Sequence, residues 1–213
     1  MTHSRVLLVA AIAVMTSPAD ALSQARAGAR PLLPRAEEIA LARSAAPAPV
    51  SSSARVWTWN GERYVVADSG KSRVNCYVGR PYVEAVEPHC FDEEGSRTVM
   101  PIVMRRVELR AQSKSEEEID RELFAGIANG KYQLPQKPAL TYMMSSAQKL
   151  VNGQGVSVGS WQPHLMIYWP NLTAESTGLP GFVPDLGFVE NPGQALSALV
   201  IPLKSFVPLP EKK

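Results

Sequence analysis

Between residues 55 and 203 the spacing of apolar residues changes twice, and that change limits the fold more than any other feature of the chain. The first stretch reads as strands. Val56-Trp57-Thr58-Trp59 and Arg63-Tyr64-Val65-Val66-Ala67 are β-branched and aromatic runs separated by Asn60-Gly61, a dipeptide suited to the positive φ angles of a hairpin turn. A third strand is expected around residues 73–78 and a fourth over 83–91. Pro88 there marks an edge or a bulge, because proline cannot donate to a ladder. From residue 96 to 112 the period lengthens. Val99, Ile102, Val103 and Val107 recur three or four apart, as on one helix face, and Pro101 fits the first turn, where a missing N–H does no harm.

Ser115, followed three residues later by Glu118, predicts a capping box and the start of a second helix. Ile119, Leu123 and Ile127, with Phe124 beside them, give that helix its apolar stripe, and Gly130 ends it as a left-handed cap. Strand text then returns at residues 139–145, 149–151, 156–158, 163–169 and 195–203, with 173–190 reading as a Gly- and Pro-rich loop. Strands, then helices, then strands predict an α+β fold: an antiparallel sheet, built from a strand meander, a two-helix insert and a second set of strands, with the helices packed on one face.

The expected boundaries follow from composition. Residues 55–206 form a single α+β domain, preceded by an Ala/Pro/Ser-rich linker at 26–53 and followed by a disordered tail at 207–213. One part of the linker, PRAEEIALARSAA, has helical composition. Its large apolar residues Ile39 and Leu41 are only two apart and share no face, so it is expected to dock weakly.

The first residues address the compartment. A short basic start, the apolar run VLLVAAIAVM, a Ser17-Pro18 break and Ala19-Asp20-Ala21 form the pattern of a signal peptide at 1–21, with cleavage after Ala21 or Ala25. The apolar run is too short for the roughly 20 residues that a membrane span takes, so the mature chain is expected to be periplasmic or secreted and to have no transmembrane segment. Cys76 and Cys90 are the 2 cysteines of the chain. In an oxidising compartment they are expected to pair, closing a loop of roughly 15 residues that the chain-entropy account values at about 3 kcal/mol.

Charge excludes one class of partner. Of the 22 Lys and Arg, five precede Pro47, as do three of the 20 acids, which leaves 17 of each sign from there onward. A neutral body has no basic field for phosphates, so nucleic acid is not an expected partner. The expected partner is a small molecule or a protein.

Two clusters could carry chemistry. In Glu87-Pro88-His89-Cys90-Phe91-Asp92, the residues His89 and Asp92 are catalytic candidates. Cys90 is better assigned to the disulfide, and on a strand His89 and Cys90 point to opposite faces. In PHLMIYW, alternation sends His164, Met166 and Tyr168 to one face and Leu165, Ile167 and Trp169 to the other. His164 is a plausible base or binding group because its unperturbed pKa lies near neutrality. Asp185 and Glu190, in the long loop, are candidate rim residues. No Cys-x-x-Cys, His-Glu-x-x-His or Walker loop occurs, so neither a cofactor nor a metal is implied. The leading expectation is a non-enzymatic extracytoplasmic binding or interaction module. Its ligand would sit between the face carrying His164 and Tyr168 and the loop at 173–190. The alternatives are a periplasmic hydrolase using His89 or His164 with Asp92, Asp185 or Glu190, and a soft-metal protein using His164 with Met143 and Met144.

Overall fold

The structure is a computed structural model that describes residues 30–151 and 156–209. The expected signal peptide and its cleavage sites lie outside the described residues, as do residues 152–155 and the last four residues of the expected tail.

Ten strands and six helices occur among the described residues. The helices are α1 (Arg35–Arg43), α2 (Ala48–Ser51), α3 (Glu93–Arg97), α4 (Val99–Ala111), α5 (Glu116–Ala128) and α6 (Ala174–Thr177). The first five strands are β1 (Arg55–Trp59), β2 (Tyr64–Asp68), β3 (Asn75–Gly79), β4 (Glu87–Phe91) and β5 (Ala139–Met143). The other five are β6 (Leu150–Val151), β7 (Ser157–Gly159), β8 (His164–Tyr168), β9 (Phe188–Glu190) and β10 (Ala198–Pro202). Eight of the strands form one sheet in the order β2-β1-β3-β4-β5-β8-β10-β9, and β6 and β7 pair separately. The chain is a mixed α+β fold with a multi-stranded sheet and helices packed against it.

Local signals set the elements where expected. At the β1–β2 turn, the Asn60 side-chain oxygen accepts the N–H groups of Glu62 and Arg63, and Gly61 takes a φ of 105°. Ser115 and Glu118 cap α5 reciprocally. Pro88 stands opposite Val78 of β3, whereas β5 pairs with β4 only at Cys90 and Phe91. It therefore occupies an open edge of an otherwise internal strand.

Three details differ from the sequence reading. First, β1 and β3 run parallel, because the chain leaving β2 crosses back along 69–74 before it re-enters the sheet. Second, the stretch read as a linker is docked. Helix α1 packs on β1, β3 and β4, where Leu41, Ala42, Ala45 and Ala46 join Val56, Cys76, Val78 and Cys90 in one buried cluster. Helices α4 and α5 lie on the opposite face. There Met100, Met104 and Val107 pack on Tyr77, Phe91, Met166 and Tyr168, so both faces of the sheet are covered. Small alanines make the α1 contact. They allow close approach without a stripe of large apolar residues.

Third, β9 falls inside the stretch read as a loop, and the tail is held at its start. The Val207 N–H donates to Met144 O at 2.7 Å, and its carbonyl accepts the Ser146 N–H at 3.2 Å.

A buried ion pair anchors α1. Glu38, 1 % exposed, accepts the backbone N–H of Trp59 at 3.1 Å and an Arg80 Nη2–H at 3.4 Å. Arg30 in turn donates to Arg80 O at 2.7 Å. Charges this deep persist only when paired and hydrogen-bonded.

Cys76 and Cys90 stand directly opposite each other on β3 and β4 and form a disulfide, with their Cα atoms 4.1 Å apart.

Candidate functional site

Alternation along the strands decides which side chains can meet. Cys90 faces α1, so its neighbour His89 must face α4, as do Tyr77 and Phe91. The three rings stack: His89 lies 5.2 Å from Tyr77 with an interplanar angle of 13°, and 5.8 Å from Phe91 with an angle of 7°. Two residues before His89, Glu87 lies on the same side of β4. On β8 the buried residues are His164, Met166 and Tyr168, while Leu165 and Ile167 are only partly buried.

These faces enclose a cavity of about 480 Å³ between the sheet, α4 and the paired strands β6 and β7. Its floor includes Tyr77, His89, Met143, His164, Met166 and Tyr168. From α4 come Val103, Arg106, Val107 and Arg110, and the far wall is made by Trp161, Phe188 and Glu190. The position of the cavity follows from the topology. Strands β4 and β5 separate beyond the Cys90–Tyr142 pair, and the gap opens beside Glu87 and Gly79. Gly79 leaves room for the His89 ring, since a Cβ there would stand 2.9 Å from the His89 Nε2.

The polar groups of the cavity differ in how far they are satisfied. The His164 Nδ1–H donates to Gln162 O at 2.8 Å. A neutral ring held this way keeps Nε2 as an acceptor. Burial lowers the His164 pKa; the bond to Gln162 opposes that shift, and the nearby His89 adds to it. His89 Nδ1 is buried without a hydrogen-bond partner among the described residues, and its Nε2 lies 3.8 Å from a Glu87 carboxylate oxygen, beyond hydrogen-bond reach.

Glu190 stands at the rim and keeps solvent access, yet protein surrounds much of its carboxylate. Desolvation, and then the charge of Glu87, raises its pKa. Burial likewise raises the pKa of both cavity phenols, Tyr77 and Tyr168, so neither ionises near neutrality. The two arginines are matched by acids of α5. Arg110 grips Glu116 through bonds of 2.8 and 3.0 Å, and Arg106 meets Glu116 at 3.1 Å and Asp120 at 2.6 Å.

Of the residues singled out in the sequence, His89, His164, Met166, Tyr168 and Glu190 converge here. Asp92 and Asp185 do not. Asp92 caps α3, its carboxylate accepting the Gly95 N–H at 2.7 Å, and that bond directs it along the helix axis. Asp185 lies outside this cavity, beside a more open depression lined also by Gln162, Pro202 and Lys204. Met143 lines the cavity, whereas the Met144 backbone pairs with Ala45 and Val207. No group of three or more His, Cys, Asp or Glu among the described residues is arranged to hold a metal ion.

Sequence reasoning overlooked Glu87, Tyr77, Trp161, Arg106 and Arg110. A signal existed for two of these groups: Glu87 is two residues from His89 on a strand, and Arg106 and Arg110 are four apart on a helix. No periodic pattern marks Trp161, which precedes β8 and packs on His164 and on Phe188 of β9.

Comparison of the chain with protein-family models, with curated proteins and with solved structures found no match. No helix among the described residues is long and apolar enough to cross a membrane.

Proposed function

We propose that this domain is an extracytoplasmic binding module and that its ligand is a small molecule held in the cavity over His89, His164 and Tyr168. The observation that carries this reading is convergence. Side chains from β3, β4, β5, β8, β9, β10 and α4 surround one cavity of about 480 Å³, within the range of roughly 300–1,000 Å³ common for small-molecule sites. Apolar walls with a few well-separated polar groups are the usual chemistry of such sites. The Cys76–Cys90 disulfide suits an oxidising compartment and supports the extracytoplasmic assignment. Cell fractionation that finds the full-length chain retained in a reducing compartment would remove that part of the reading.

The location is tested by substitution. For any ligand identified by calorimetric screening, His164→Ala and Tyr168→Phe should each weaken binding, by about three- to tenfold for each hydrogen bond lost. Unchanged affinity in both variants would place the site elsewhere.

A second reading, a hydrolase, has one specific observation in its favour. The His89–Glu87 pair, 3.8 Å apart in a cavity, could tighten into a general base and its orienting carboxylate once substrate is bound. Turnover of chromogenic esters or phosphoesters that His89→Asn abolishes and His164→Asn spares would favour it. Absence of turnover across such a panel would count against it.

A further inference from the structure

We infer that the ligand of this cavity carries a cationic, hydrogen-bond-donating head, of the primary or secondary ammonium class, attached to an apolar or aromatic body. The inference rests on the cavity being a binding site, and it concerns only the chemistry of what enters. Two carboxylates, Glu87 and Glu190, line the cavity together with the two guanidiniums of Arg106 and Arg110. Those guanidiniums already meet Glu116 and Asp120 of α5, and so they offer an incoming anion little that is unmatched. The two carboxylates have no comparable partner within the cavity among the described residues. Glu87 has only His89, at 3.8 Å.

The neutral groups favour the same class. With its Nδ1–H committed to Gln162 O, His164 presents an acceptor at Nε2. An ammonium group supplies two or three N–H donors and no acceptor, which suits a site of two carboxylates and an imidazole lone pair. The rim adds aromatic faces. Phe188 and Glu190 are alternate residues of β9 and share one side of it. Trp161 stands 5.7 Å from Phe188 and 4.9 Å from His164, measured between ring centroids. Cations are drawn to such faces by the ring quadrupole, most strongly by Trp. Burial first, and the charge of Glu87 second, disfavour the Glu190 carboxylate, and a bound cation would offset the Glu87 repulsion.

The test is calorimetric titration of the full chain, disulfide intact, with three probes of similar shape: 2-phenylethylammonium, 2-phenylethanol and phenylacetate. The ammonium should bind at least about tenfold more tightly than the alcohol, and phenylacetate more weakly still. Glu87→Gln should reduce ammonium affinity roughly tenfold and leave the alcohol unaffected. Glu190→Gln, a change at the solvent-touched rim that folding tolerates more readily, should act in the same direction. Alcohol or phenylacetate binding as tightly as the ammonium, with competition among the probes, would overturn the cationic class and leave the cavity as a site. Failure of all three probes to bind would overturn both.

Discussion

His164 shows how one side chain joins stability to the site. Its folded pKa lies below the ordinary value of 6.5 because burial disfavours the imidazolium. The unfolded chain therefore binds the proton more readily. The stability that His164 contributes is complete above about pH 6.5 and is lost as pH falls through its folded value. His89 from β4 is the titratable neighbour that pushes in the same direction. Urea unfolding of the wild type and His164→Asn from pH 7.5 to 5 should show a steeper fall for the wild type; parallel curves would remove this account of His164. The disulfide is the second test at this scale. Cys76 and Cys90 are 14 residues apart in sequence, and replacing both with Ala should cost about 3 kcal/mol, read as a lower denaturation midpoint. Single residues were also the most legible level in the sequence. Alternation alone placed His164, Met166 and Tyr168 together and set His89 apart from Cys90. It was equally able to place Glu87 beside His89. Asp92 could not be placed from composition, since an acid preceding a helix can cap it or serve a site, and only the bond to the Gly95 N–H distinguishes the two.

Among the elements, the long periodic helices and the capped starts were readable, because their signals are local. Helix α1 was not. Its contact surface is made of alanines, whose small size gives no periodic contrast with the Ala-rich stretch around them, and its anchor is a charge. Glu38 makes contacts with Trp59 and Arg80, 21 and 42 residues away in sequence, a partnership no local pattern reveals. Removing one member of a buried pair leaves the other uncompensated, so Glu38→Ala should destabilise the domain by about 3–5 kcal/mol. A change under 1 kcal/mol, the usual size for an exposed pair, would mean that α1 is the loosely attached segment its composition suggests. Strand β9 escaped notice for a related reason. It is three residues long and exists through its pairing with β10, and Gly187 just before it takes a φ of 97° in a place where a Cβ would stand 1.8 Å from Val200 O. Gly187→Ala should therefore disturb the rim that carries Phe188 and Glu190, weakening ligand binding more than it lowers the denaturation midpoint.

Over the whole molecule, a sheet of eight strands separates two buried clusters, one under α1 and one under α4. A third cluster, Ile102, Leu109, Ile119 and Leu123, joins α4 to α5. Fixing α4 against α5 also fixes Arg106 and Arg110 to their acids, and thereby sets the charge balance of the cavity. The α+β class was legible because the hydrophobic period changes along the chain. Coverage of both sheet faces and the parallel β1–β3 pair were not, since each depends on where the chain crosses between distant segments. A cavity assembled from elements scattered along the chain is a property of this scale alone. A ligand present at about 100 times its dissociation constant should stabilise the protein by roughly 2.7 kcal/mol. The most direct measurement is a crystallographic screen of small amine, alcohol and carboxylate fragments soaked into the oxidised protein. Fragment density is expected between His89, His164, Tyr168 and Trp161, with amine nitrogens beside Glu87 or Glu190. Fragments bound only at other surfaces, with this cavity empty throughout, would contradict that expectation.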